Sequence, residues 1–245
     1  MKVFLVVLLA VGVSCAPKAL NWRVVGGETA ADGQFPYQVS IRYYDSHNCG
    51  GSVINKNTIL TAAHCLDGYS PSSLTVIVGT KHISEGGESH NVLTATIYPD
   101  YDSSTNENDI GIIKLASDIT FNDKVQPVAL ETEDIGDRSP CILSGWGSTS
   151  YPGSAPTYLQ FVHLKTITYR NCKVFHQFLT IAPSHVCTYT KYGEGACHGD
   201  SGGPLVSEVN QKQIGIVSWG LPCAKGAPDV FTKVSYFNSW INEHS

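Results

Sequence analysis

The dominant signal along the chain is alternation of apolar and polar residues with period two, broken at short intervals by turns. The stretch "QVSIRY" (38–43) sets Val39, Ile41 and Tyr43 on one face, and "LTVIVG" (74–79) and "DIGIIKL" (109–115) are further apolar segments of strand length. Successive side chains of a strand point to opposite faces, so this pattern predicts strands. Stretches such as "PSS", "EGGE" and "YPGSAP" interrupt it with turn-forming residues. No regular alternation of strands with helices and no internal repeat is visible, which disfavours a parallel α/β sheet. The last segment, "SYFNSWINEH" (235–244), instead spaces Phe237, Trp240 and Ile241 as the apolar stripe of a short terminal helix. The pattern is that of an all-β protein.

The beginning of the chain departs from it. "MKVFLVVLLAVGVSCA" has one basic residue, an apolar run too short to span a bilayer, and small residues at Ser14 and Ala16. It predicts a secretory signal peptide over residues 1–16; a buried first strand is the alternative, disfavoured by the basic start and small-residue exit. No later stretch is long and apolar enough to span a membrane, so the mature protein is expected to be soluble and extracellular.

Composition narrows the picture further. At 245 residues and 42% hydrophobic content there is material for one large domain or two small ones, and a net charge of −5 argues against nucleic acid or an anionic membrane as the main partner. Secretion changes the meaning of the cysteines. Cys15 leaves with the signal, and Cys49, Cys65, Cys141, Cys172, Cys187, Cys197 and Cys223 remain. An odd number in an oxidising compartment allows three bridges at most and leaves one thiol. Zinc competes for such residues, but no close CxxC pairs occur, and no metal site is expected.

Candidate chemistry centres on "GEGACHGDSGGPLV" (193–206), where Ser201 stands between an aspartate and two glycines. A serine nucleophile needs a base to take its proton and an acid to orient that base. His64 in "TAAHC" and Asp109 in "NENDIGIIKL" sit in distinctive settings, and their combination with Ser201 carries weight that no single residue would. The same serine also fits the G-x-S-x-G elbow of α/β-hydrolases, with Ser201, Asp229 and His244 in that chain order. That elbow must feed a helix, whereas Gly202, Gly203 and Pro204 follow here and His244 is penultimate.

The motifs "RVVGG" (23–27), "TAAHC" (61–65), "NDIGIIKL" (108–115), "SGWG" (144–147), "GDSGGP" (199–204) and "SWG" (218–220), in this order, resemble the trypsin/chymotrypsin-type serine proteases. "EGACHGDSGGP" and "PDVF" (228–231) are similar in detail to insect chymotrypsin-like enzymes. The resemblance implies two packed antiparallel six-stranded β-barrels, from residue 24 to about 129 and from there to about 233, with the helix after them and the site in the cleft between them. It implies His64 as general base and then acid, Asp109 as the group that fixes its tautomer, and Ser201 as the nucleophile that forms an acyl-enzyme. The backbone N–H groups of Gly199 and Ser201 become the oxyanion donors, each typically worth about 10²–10³ in rate. An inactive binding homologue is the contrasting reading; such chains typically lose a triad residue, and here all three are kept. A regulatory cascade protease would carry an accessory domain before the catalytic one, and only the short segment 17–23 precedes Val24.

The same resemblance implies a zymogen cut between Arg23 and Val24 by a trypsin-like activator, releasing the propeptide 17–23. The new ammonium of Val24 then pairs with Asp200, and in the uncut chain Ser40 and His47 match positions that hold this aspartate; an ordinary strand serine and loop histidine are the alternative. Bridges Cys49–Cys65, Cys172–Cys187 and Cys197–Cys223 are implied, with Cys141 left over because its usual partner position is Ser207. At the specificity pocket stand Gly195 and Gly220, with His198 at the rim. The resemblance implies an open pocket for Phe, Tyr, Leu or Trp. Asp229, where the family usually has glycine, could reach the space Gly195 leaves empty. A similar arrangement in crustacean collagenolytic proteases goes with broad specificity including Lys and Arg. Thr80 stands where a calcium loop carries an acid, so no calcium site and no cofactor are expected. The expected partners are protein and peptide substrates, the activating protease and protein inhibitors, for a monomeric enzyme of the digestive lumen. No Asn-x-Ser/Thr sequon occurs.

Overall fold

The computed structural model describes residues 24–221 and 223–245. The expected signal peptide and propeptide, with Arg23, lie outside the described residues. Six antiparallel strands close a first barrel in the order Gln38–Tyr43, Ser46–Asn55, Thr58–Thr61, Gly111–Leu115, Glu88–Ile97 and Leu74–Val78. The alternation read from "QVSIRY" is real: Val39 and Ile41 are buried in the barrel core. Their polar neighbours Gln38, Ser40 and Arg42 are buried as well. Polar contacts between sequence-distant strands engage this face, as where Ser144 Oγ donates to Gln38 Oε1 at 2.7 Å. Tyr43, expected on the apolar face, is 36% exposed. It ends its strand just before a turn in which Tyr44 and Asp45 both take positive φ, and its ring packs on Tyr44 and Tyr69 at 4.4 and 4.8 Å.

The second barrel closes through Pro140–Gly145, Gln160–Ile167, His185–Thr188, Asp229–Lys233, Lys212–Gly220 and Pro204–Ser207, all antiparallel. Both barrels are therefore six-stranded, as the family resemblance implied. The first described residues cross over: Glu28–Thr29 pairs with Gln160 and Phe161, and Val24 is buried among Cys141, Leu143, Leu205 and Phe231. The segment expected with the first barrel thus belongs by contact to the second.

The end of the chain crosses in the opposite direction. A 3₁₀ turn, Val234–Phe237, leads into the helix Asn238–His244, and Phe237 and Ile241 join the first barrel's core cluster. The terminal stripe was legible because its partner surface is apolar. A second helix, Tyr169–Phe175, was not anticipated; its signal is Thr168, whose side chain caps it by accepting from Asn171 N–H at 3.1 Å. Three disulfides, Cys49–Cys65, Cys172–Cys187 and Cys197–Cys223, are formed, and Cys141 is free and buried.

Candidate active site

Strand register brings the first two residues together. Thr58–Thr61 and Gly111–Leu115 pair with Thr61 opposite Gly111, so the residues just past one strand lie beside those just before the other. His64 sits on the tight turn Ala63–Cys65, and Asp109 precedes the second strand. The Asp109 carboxylate accepts from His64 N–H at 2.9 Å through Oδ1 and from His64 Nδ1–H at 2.7 Å through Oδ2. A donating Nδ1 leaves Nε2 of the neutral ring with a free lone pair, the tautomer a general base requires.

Asp109 is 0% exposed, and a buried carboxylate is tenable only when hydrogen-bonded. The second barrel completes its shell: Ser218 Oγ donates to Oδ2 at 2.6 Å, and Thr232 Oγ1 donates to the Asp109 carbonyl at 2.7 Å. Sequence reading missed Ser218 and Thr232. Both lie more than a hundred residues from Asp109, and the only trace was the serine of "SWG".

Ser201 lies on the turn that enters Pro204–Ser207. Its carbonyl accepts from Gly50 N–H of the first barrel at 2.8 Å, and Gly202 N–H donates to Val217 O at 2.8 Å. Gly202 has φ +75°, and a Cβ there would lie 2.3 Å from Thr61 Oγ1 and 3.0 Å from Cys65 Sγ. Only glycine permits this approach, which holds the serine turn against the Cys49–Cys65 bridge and hence beside His64. The sulfurs of that bridge lie near His64 but are bonded to each other, so they supply no thiolate to a metal.

The loop ahead of Ser201 is pinned from several sides. Gly199 has φ +100°, and its carbonyl accepts from His47 Nε2–H at 2.9 Å while His47 Nδ1 accepts from Ser40 Oγ at 2.8 Å. Burial holds the His47 pKa below the usual imidazole value, consistent with a neutral ring. Ser40 is therefore bonded to His47 and His47 to Gly199, while Asp200 accepts from the backbone N–H groups of Gly147 at 2.8 Å and Cys197 at 3.0 Å. Asp200 is 0% exposed, and burial raises its pKa to about 6 against the pull of those two donors. The segment after Val24 runs under the same loop, with Gly195 N–H donating to Val25 O at 3.2 Å.

Beside Ser201 opens a cavity of about 220 Å³ whose wall includes His198, Trp219, Gly220 and the Cys197–Cys223 bridge, with Asp229 also lining it. Asp229 Oδ2 accepts from Ala196 N–H at 2.7 Å. A Cβ on Gly195 would lie 2.3 Å from Oδ2, and one on Gly220 would lie 3.1 Å from Oδ1. The carboxyl group thus fills the room that two missing side chains leave. Asp229 is 5% exposed; burial raises its pKa to about 7, the Ala196 N–H opposes this, and the charge of Asp200 adds to it. The alternative grouping Ser201–Asp229–His244 is not assembled: Asp229 is engaged at the cavity, and His244 Nδ1–H donates to Trp240 O at 2.8 Å on the terminal helix.

The sequence pattern of the family described as Trypsin matches residues 24–241, nearly the whole described chain. The chain belongs to the trypsin family. As a trypsin-family serine endopeptidase it acts on protein substrates. It is similar to Chymotrypsin-2 of Vespa crabro, 45% identical over 222 residues that cover 90% of this chain and 99% of that protein. It is also similar to Trypsin alpha-4 of Lucilia cuprina, 38% identical with 96% of each chain covered, and to Trypsin alpha of Drosophila erecta, 37% identical with 91% and 87% covered. Relatives of this trypsin-family protease thus bear both chymotrypsin and trypsin names. Among the described residues no helix is long and apolar enough to cross a membrane.

Proposed function

We propose that the protein is a secreted digestive zymogen whose active form cleaves peptide bonds after large apolar and aromatic residues. The observation that carries the catalytic part is the 2.7 Å contact between His64 Nδ1 and the fully buried Asp109, beside the Ser201 turn. Ser201 Oγ attacks the scissile carbonyl while His64 Nε2 takes its proton. The tetrahedral oxyanion is held by the N–H groups of Gly199 and Ser201. His64 then protonates the leaving amine, an acyl-enzyme on Ser201 remains, and water deacylates it by the same proton path. Asp109 keeps its charge throughout and stabilises the imidazolium.

Activation follows from Asp200. Cleavage between Arg23 and Val24 converts a peptide nitrogen into an ammonium that can reach this buried carboxylate, and burying the pair orders the loop carrying Gly199. Breaking such a pair typically costs about 3–5 kcal/mol, enough to switch the loop. The signal-like run at residues 1–16 supports export, and the enzyme is read as a monomer that needs no cofactor.

The side chain preceding the scissile bond enters the cavity beside Ser201. Its apolar walls favour Phe, Tyr, Leu and Trp, each worth several kcal/mol on burial. The carboxyl of Asp229 favours a second reading, in which Lys and Arg are also accepted. The test is cleavage of matched peptides differing only in that residue, after activation by trypsin and its removal. Phe well ahead of Ala supports the proposal; inertness on every peptide returns the chain to the binding-only reading.

A further inference from the structure

Asp229 is placed to make the two specificities alternate. Its carboxyl lines the cavity, Oδ2 receives one backbone N–H, and Oδ1 is turned toward Gly220, which has no side chain to cover it. Among the described residues no ion pair includes Asp229, and the charged group that acts on it is another carboxylate, Asp200, which disfavours its ionised form. The remaining charged and titratable groups on the surrounding elements are otherwise engaged or peripheral. Lys191 pairs with Glu194 at 2.8 Å, Lys225 lies over the Tyr151 ring at 4.4 Å, and His198 packs on that same ring at 5.8 Å. Behind the strand, His176 Nε2–H donates to Pro228 O at 2.9 Å.

We propose that the proton on Asp229 sets the primary specificity: the neutral carboxyl lets the cavity take uncharged aromatic and aliphatic side chains, and the carboxylate lets it take Lys and Arg. This rests on the protease reading above. Two physical effects act in the same direction. An ionised carboxylate covered by an apolar ring loses its hydration without a partner, which penalises Phe. The same carboxylate under a guanidinium or ammonium gains a charge-assisted hydrogen bond in a confined site, which favours Arg and Lys. The burial that raises the Asp229 pKa to about 7 puts the exchange near neutral pH.

The experiment measures kcat/KM for matched Arg and Phe peptides on the activated enzyme from about pH 5 to about pH 9. Their ratio removes the titration of His64 and of the Val24 ammonium, which act on both substrates alike. The Arg/Phe ratio is expected to rise about tenfold per pH unit on both sides of about pH 7, because Arg cleavage follows the ionised fraction of Asp229 and Phe cleavage the neutral fraction. Inhibition of Phe cleavage by benzamidinium, a small planar cation, should strengthen over the same interval, and this reading needs no variant. In Asp229→Asn the ratio should be low and flat across the same interval. A pH-independent ratio in an enzyme that cleaves Phe, or an Asp229→Asn enzyme that keeps the pH dependence, overturns the inference alone. Failure to cleave any peptide overturns the protease reading and this one with it.

Discussion

Cys141 and Ser207 stand directly opposite each other on the antiparallel strands Pro140–Gly145 and Pro204–Ser207. Both are buried, and burial raises the thiol pKa to about 12, so the native protein should not react with a thiol reagent. Cross-strand neighbours lie about 4.5–5.5 Å apart at Cα, within disulfide reach. Ser207→Cys should therefore close a fourth bridge. Titration in denaturant should find no free thiol where the parent has one, and the unfolding midpoint should rise by up to about 4 kcal/mol equivalent.

Asp109 accepts from His64 and from Ser218, and the two contacts should separate in kinetics. Asp109→Asn should lower kcat on the order of 10⁴-fold, the loss known for the same replacement in a related protease, with the fold intact by circular dichroism. Ser218→Ala removes one donor from a carboxylate that keeps its others, and should cost on the order of tenfold in kcat with little change in KM.

Gly195 and Asp229 compete for one volume. Gly195 has φ +154° and room for no Cβ beside Asp229 Oδ2. Gly195→Ser should destabilise by about 1–3 kcal/mol and impair cleavage of Phe peptides. Adding Asp229→Gly should recover part of both losses, and denaturant midpoints of the four proteins would give the coupling.

Asp200 and Asp229 also predict how stability varies with pH. Both folded-state pKa values lie above the usual 3.8, at about 6 and about 7. Between about pH 4 and pH 7 the folded zymogen holds protons that the unfolded chain has released, so its stability should fall as pH rises through that window. Asp229→Asn should make this fall shallower and raise the melting temperature near pH 8 while changing it little near pH 4. Calorimetry of parent and variant at the two pH values decides the matter.

Activation should depend on both ends of one ion pair. Arg23→Gln should block activation by trypsin, and Asp200→Asn should be cut normally, read by N-terminal sequencing at Val24, yet remain nearly inactive. The cleaved parent should lose activity at strongly alkaline pH as the Val24 ammonium, its pKa raised by the carboxylate, gives up its proton.

Much of this protein was legible in local pattern. Alternation in "QVSIRY" determined a strand with Val39 and Ile41 inward because period two is a property of the strand itself, and the spacing of Phe237, Trp240 and Ile241 determined the last helix for the same kind of reason. The motifs around His64, Asp109 and Ser201 were readable because each combines a reactive residue with the small or apolar neighbours its setting demands. What only the tertiary structure decided depends on partners far away along the chain. Gln38 and Ser40 look solvent-facing in sequence, yet both are buried and partnered, Gln38 by Ser144. Ser218 and Thr232 carry no local mark of holding Asp109. Local pattern alone makes Asp229 one more aspartate, and only the family resemblance set it at the pocket beside Gly195. Its burial, its single backbone donor and the missing side chain of Gly195 together determine where its proton sits, because the cost of ionising a carboxyl depends on everything packed around it.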